Sequence, residues 1–321
     1  MTSLLRRTVP SRGARLTGWG AARAHQTTDG ADLMAPFGKD AAWLRERTGI
    51  ESVCRIGDDE SIVDLADAAA AQALAVARAP LPDVVIGATC SCAPHGVASL
   101  SERVGAKVAP SAVTADVNAA CSGFVLALSS AADHVRAGSA DTVLVVAAEQ
   151  MSSMLDPSDL GTSILFGDGA GAAVVQACDS AEDGFGPIAW LSDGSGADLL
   201  RIPDGSTSLR MDGRAVFRWA VSAVPRLIHD ALARARVSAA EIEIFVPHQA
   251  NLRIIEPIRR AAGLLHTPLA DDVRFAGNTS AASIPLALAR LAEERDLRRK
   301  LALFVGFGAG LTAAAQVVQL P

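Results

Sequence analysis

Two segments of this 321-residue chain echo each other, and that echo constrains the fold more than any other feature. Phe166-Gly167-Asp168-Gly169-Ala170-Gly171-Ala172-Ala173-Val174-Val175 has a counterpart in Phe307-Gly308-Ala309-Gly310-Leu311-Thr312-Ala313-Ala314-Ala315-Gln316-Val317-Val318. Each reads as a strand, a glycine turn and a returning strand. The apolar runs ahead of them, 143–148 and 301–305, are uninterrupted, as expected for strands buried on both faces. Helical patterns over 61–79, 121–138, 217–235 and 284–294 alternate with strand-like runs over 83–89 and 242–246, and Pro225 is expected to kink the third helix. A first strand is expected near Leu16, after a basic, aperiodic start over 1–12. Such alternation is an α/β signature; the echo makes it a duplicated one. The Gly/Asp/Ser-rich stretch 179–193 separates the copies, dividing the chain into 1–178 and 179–321.

Chemistry first surfaces at Cys121, in Asn118-Ala119-Ala120-Cys121-Ser122-Gly123-Phe124. A strand-like run over 112–117 leads into it and an apolar helical pattern follows. The sulfur therefore falls at a strand-to-helix turn, where backbone N–H groups lack intrahelical partners. The positive end of the helix is expected to favour thiolate and lower the thiol pKa, and a peptide N–H there can face a developing oxyanion. A buried cysteine acting as a small hydrophobe would look the same. His248, in Val246-Pro247-His248-Gln249-Ala250-Asn251, lies just past a strand end, where ligands of α/β sheets gather. Asn278, in Gly277-Asn278-Thr279-Ser280-Ala281-Ala282-Ser283, has an amide that donates without being a proton source. Alone, these two are equally readable as a satisfied histidine and a turn asparagine.

Half of the residues are hydrophobic, enough for a sizeable core, and the net charge is −6. An acidic chain lacks the basic footprint of general nucleic-acid binding. No window approaches a membrane span, and Met1-Thr2-Ser3-Leu4-Leu5-Arg6-Arg7 lacks a secretory apolar region. Five scattered cysteines suggest a reducing compartment, so a cytoplasmic location is expected. Cys90-Ser91-Cys92 has no second Cys/His pair at zinc-like spacing, so buried thiols are expected there and no metal or cofactor.

Taken together, the motifs around Cys121, His248, Asn278 and the 307–312 glycine turn resemble the β-ketoacyl-acyl-carrier-protein synthase III family of the thiolase superfamily. The resemblance runs from Trp43-Leu44-Arg45-Glu46-Arg47-Thr48-Gly49-Ile50 to Ala313-Ala314-Ala315-Gln316-Val317-Val318. It implies a thiolase fold: two duplicated α/β halves packed about a pseudo-twofold axis in a layered αβαβα core. It also implies that Cys121 takes an acyl group from a coenzyme A or acyl-carrier-protein thioester. Malonyl-acyl-carrier protein then loses carbon dioxide, and His248 and Asn278 stabilise the enolate that attacks the acyl-cysteine. The peptide N–H groups of Cys121 and Ala309 are the implied oxyanion donors. Trp43 and Asn251 are the implied coenzyme A contacts. Arg218, Arg253 and Arg260 are the implied carrier-protein contacts, with Arg259 as their neighbour, and a homodimer is expected. Chain-elongating relatives use two histidines where this chain has His248 and Asn278, and thiolases carry a second cysteine at the turn where 307–312 has none. Priming of fatty-acid or polyketide chains fits best.

Two departures point to a specialised, polyketide-type priming enzyme. Leu160 stands where the family often has an arginine against coenzyme A, and the segment 92–97 departs from the family's acyl-pocket loop. Two other readings are acyl transfer from Cys121 to an alcohol or amine, and a non-catalytic partner subunit. The first leaves Asn278 without an enolate to stabilise; the second leaves an intact Cys–His–Asn set without work.

Overall fold

The structure is a computed structural model, and it describes residues 12–91 and 99–321. The basic start (1–11), Cys92 and the departing 92–97 loop lie outside the described residues. Among the described residues the chain builds two main sheets, with helices outside and between them, and two small two-stranded ones. In the first sheet, β1 (Arg12–Arg23), β2 (Val84–Ala88), β3 (Val113–Val117), β4 (Thr142–Gln150) and β5 (Asp168–Asp179) take the order β1-β5-β4-β2-β3. The second holds β6 (Ala189–Ser192), β7 (Ile244–Pro247), β8 (Leu301–Gly308) and β9 (Thr312–Gln319) in the order β7-β8-β9-β6.

The halves correspond strand for strand at their centres. β2 and β4 are parallel and β5 returns antiparallel to β4; β7 and β8 are parallel and β9 returns antiparallel to β8. Even the β2–β3 pairing has a remnant in the second half, a single parallel bridge between Phe245 and Leu269.

Side chains alternate across each strand and so assign the layers. Val143, Val145 and Ala147 of β4 join a central core with Phe124, Leu128, Ile284, Leu288 and Phe304. Leu144, Val146 and Ala148 face the other way, onto α1 (Ile62–Ala77) and α2 (Leu100–Val108). In β8, Ala302 and Phe304 point into the central core. Leu303, Val305 and Phe307 point onto α4 (Gly213–Ala235) and α5 (Leu252–Ala261). Between the sheets lie α3 (Gly123–Ala137) and α6 (Ser283–Glu294), one from each half. The layering is therefore αβαβα, and the thiolase fold expected from the sequence is the observed one. Ser61 starts α1 by accepting from the Asp64 N–H while Asp64 bonds back, a reciprocal cap. α4 runs unbroken through the buried Pro225. Among the described residues no helix is long and apolar enough to cross a membrane.

One expectation about the echo needs correcting. In the second half a short turn, Ala309–Leu311, does join β8 to β9. In the first half Gly169 and Gly171 lie inside β5 rather than in a turn. Their role is close packing: a Cβ on Gly171 would sit 2.6 Å from the Pro285 ring of α6. The missing side chain lets a second-half helix press against a first-half strand.

Candidate active site

Cys121 occupies a 3-10 turn, Ala120–Ser122, between β3 and α3, and is 4% exposed. Ala120 holds a φ of +45°, a left-handed conformation unusual for a residue with a Cβ. β8 passes directly beneath: a Cβ on Gly308 would lie 2.9 Å from the Cys121 sulfur. Glycine is required there because backbone and thiol are nearly in contact. Burial pushes the Cys121 thiol up to about 12; hydrogen bonding from Ser280 and the local backbone opposes this, and nearby Glu149 adds to it. The thiolate expected from the helix N-terminus is thus not the resting form, because desolvation of the charged form outweighs the helix field.

His248 follows β7 directly, its N–H bonded to the Val305 carbonyl at 2.7 Å. Its ring stands edge-on to Phe307, with centroids 5.3 Å apart, and Nδ1 lies 2.7 Å from Ser283 Oγ. Burial pushes its pKa down to about 3, only partly offset by a hydrogen bond with the Ser280 backbone, so the imidazole is neutral. Asn278 comes from the 277–283 segment, which is clamped to the entrance of β5. Its N–H bonds Leu165 and its carbonyl accepts from Gly167, forming a bridge to Phe166. The Asn278 Oδ1 accepts the Ser280 N–H at 2.9 Å. With the carbonyl end engaged, the amide NH2 is the end left for a ligand.

Cys121, His248 and Asn278 line one cavity of about 1100 Å³, together with Phe166, Phe307 and Gly308. Ala309 is half-buried one residue past Gly308. Phe166, which lines the same cavity, packs with Met151, Leu200, Leu209 and Val216 into an apolar cluster. The lining also carries five arginines, Arg47, Arg210, Arg214, Arg218 and Arg253, against three aspartates, Asp159, Asp198 and Asp212.

The expected binding residues separate into groups. Arg218, Arg253 and Asn251 line the cavity; Arg253 also bonds the Glu46 carbonyl, and Asn251 caps α5. Trp43 lies behind the mouth, its ring covered by Lys39 and by Arg47, which itself lines the cavity. Arg260 is exposed and outside the lining. Arg259 is not free for a partner: its guanidinium bonds the carbonyls of Leu264, Leu265 and Thr267, closing the loop after α5. That is a correction to its expected place beside the docking residues.

Other site residues escaped the sequence reading. Arg210 reaches Asp156 at 2.9 Å and Asp159 at 3.4 Å, bringing a guanidinium beside the segment where Leu160 has none. Ser280 and Ser283 lie within a quoted motif, but nothing local marks which side chains they meet. Glu149 ends the apolar run of β4 and is fully buried behind Cys121, with its pKa raised chiefly by burial. No cluster of three or more His, Cys, Asp or Glu suited to a metal occurs among the described residues.

A buried cysteine at a helix mouth, with a neutral histidine and an asparagine amide across a shared cavity, defines a thiolase-fold condensing enzyme. Residues 115–194 match the family model described as 3-oxoacyl-[acyl-carrier-protein (ACP)] synthase III, and 232–320 match that of its C-terminal part. The chain belongs to this family. It is 39% identical over 317 residues to β-ketoacyl-[acyl-carrier-protein] synthase III 4 of Streptomyces coelicolor, covering 97% of this chain and 99% of that protein. A synthase III of Streptomyces avermitilis is 40% identical, over 96% of this chain and 99% of its own length. Among solved structures, the priming β-ketosynthase of the R1128 polyketide pathway superposes with a TM-score of 0.93 at 38% identity, covering 99% of each chain. The synthase III of Pseudomonas aeruginosa gives 0.90 at 35% identity, over 96% of this chain and 98% of that one.

Proposed function

We infer that this enzyme starts fatty-acid or polyketide chains by condensing an acyl thioester with malonyl-acyl-carrier protein. The observation that carries the reading is the convergence of Cys121, His248 and Asn278 on one cavity. Cys121 attacks the donor thioester, the donor thiol leaves, and the acyl group rests on sulfur against the Phe166 cluster. The N–H groups of Cys121 and Ala309 take the oxyanion. Malonyl-carrier then enters and loses carbon dioxide. With the Ser283 hydroxyl assigned as donor to His248 Nδ1, 2.7 Å away, the imidazole keeps Nε2–H, which bonds the enolate oxygen together with the Asn278 amide. Neither donor surrenders its proton fully, so the enolate carbon stays nucleophilic and attacks the acyl-cysteine carbonyl.

The donor is an acyl-coenzyme A or an acyl-carrier protein, and the arginine-rich mouth suits the phosphate each carries. Arg218 and Arg253 are the residues we assign to carrier docking, and Trp43 and Asn251 to a coenzyme A donor. We place the boundary between the halves at 178/179, within the last residues of β5, which runs to Asp179. We also propose a homodimer and a cytoplasmic setting. The dimer is supported by β3, an edge strand with an exposed face and with Val113 68% exposed.

The test is intact mass of malonyl-carrier protein after incubation with enzyme and a panel of short acyl-coenzyme A donors. Appearance of the β-ketoacyl-carrier mass supports condensation and identifies the starter. Acylation of Cys121 with the carrier left malonylated would overturn it in favour of transfer to another acceptor.

A further inference from the structure

The residue after His248 is a buried amide that lies outside the reaction cavity. Gln249 is 1% exposed and does not line the cavity, yet both ends of its side chain are engaged. Nε2 donates to the Pro247 carbonyl at 2.7 Å and to the Ala270 carbonyl at 2.8 Å, and Oε1 accepts the Val273 N–H at 3.0 Å. Two carbonyls on one side and an N–H on the other fix which end of the amide is which. The Gln249 backbone N–H bonds Ser283 Oγ at 3.3 Å, the same oxygen that meets His248 Nδ1.

These bonds stand where the backbone cannot supply them. β7 meets the segment around Leu269 as a short parallel ladder, in which Phe245 donates to Pro268 and accepts from Ala270, both at 3.1 Å. In that pattern the next donor, toward the Ala270 carbonyl, is the N–H of residue 247. Residue 247 is a proline and has none. Gln249 Nε2 takes its place. Oε1 then reaches Val273, which opens the helical turn Val273–Ala276 with no side-chain cap from Asp272; such a first-turn N–H lacks a partner of its own. That turn runs directly into Gly277 and Asn278. One amide thus grips the strand end that carries His248 and the turn that leads to Asn278.

We propose that Gln249 is the positioning residue that sets the spacing between the two enolate donors, His248 and Asn278. Two donors stabilise one developing oxyanion only when both aim at the place it will occupy. His248 hangs from β7 in the second sheet, whereas Asn278 ends a separate segment bridged to Phe166 of the first half. Without the amide, the carbonyls of Pro247 and Ala270 and the N–H of Val273 would be buried and unpaired. The 270–278 segment would then shift to regain partners, and Asn278 with it. Cys121 stands on a turn that Gln249 does not bond, so acyl-cysteine formation lies outside its work. A tie that only held the fold together would serve both half-reactions alike; one that sets donor spacing serves decarboxylation.

The proposal rests on the reading that His248 and Asn278 bond the enolate oxygen. Its test follows two masses with the full-length enzyme. One is malonyl-carrier protein turning into acetyl-carrier protein; the other is Cys121 acylated in a single turnover by a short acyl-coenzyme A that wild type accepts. Gln249→Leu keeps the bulk of the side chain and removes its hydrogen bonds. It is expected to slow decarboxylation by roughly 100-fold, the scale of a 1 Å misplacement, and to leave acylation within about threefold of wild type. In an Asn278→Ala background the same change is expected to add no more than about threefold, because no second donor is left to keep in register. Gln249→Asn, whose head group falls one methylene short, is expected to lose decarboxylation in the same way. It decides alone if Gln249→Leu does not fold, as denaturant titration would reveal, and if neither folds the amide is a staple of the fold and the proposal falls. Unimpaired decarboxylation in Gln249→Leu, equal losses in both half-reactions, or additive losses with Asn278→Ala would each overturn it. An Asn278→Ala enzyme that decarboxylates at the wild-type rate would sink the enolate reading itself, and the positioning role with it.

Discussion

At the residue scale the site depends on groups held in uncharged form by burial. His248 has a folded pKa near 3 against an ordinary value of 6.5, lowered chiefly by desolvation. Protonation therefore favours the unfolded chain. The contribution of the neutral imidazole is complete above about pH 6.5 and is lost as pH falls toward 3. Replacing His248 with Asn should make the unfolding free energy flatter between pH 7.5 and 5. The difference in slope should be at most about 1.4 kcal/mol per pH unit, the limit for one proton; parallel curves would contradict the buried neutral histidine. Asn278 offers a second test, since its amide NH2 is assigned only to the enolate. Asn278→Ala should cost about 2.7–4 kcal/mol in the decarboxylation barrier while Cys121 still acylates, as single-turnover mass spectrometry would reveal. Equal losses in both half-reactions would remove its assigned role.

The elements matter by where they end. β3, β7 and β8 each deliver a functional group within a few residues of their carboxyl ends: Cys121, His248 and the Gly308–Ala309 pair. The sulfur and β8 are so close that Gly308 has no room for a side chain, although its φ of 175° is open to any residue. Gly308→Ala should therefore act by contact with the thiol and not by backbone strain. The expected outcome is a loss of acylation of 100-fold or more, with unfolding destabilised by about 1–3 kcal/mol, the usual range for overpacking. Kinetics and denaturant titration on the same preparation would check both. Normal acylation would mean that the turn yields more easily than its contacts imply.

The whole molecule joins what the chain separates. α3 and α6 share one core between the sheets, so neither half buries its inner face alone. β3 leaves one edge of the first sheet exposed, and edge strands invite pairing with another chain. A lysine at Val113 should convert a dimer to a monomer in light scattering, and an unchanged mass would place the subunit contact elsewhere. The alternation of elements, the duplication and the placement of Cys121 and His248 past strand ends were legible in the sequence. They follow from period-two and helical patterning, which is local. Tertiary structure alone decided the rest. The glycines of β5 serve an approach by Pro285, and Arg259 is spent on three carbonyls of its own loop. The cysteine is a protonated thiol over a serine 159 residues away, because burial, which no local pattern encodes, outweighs the helix end beside it.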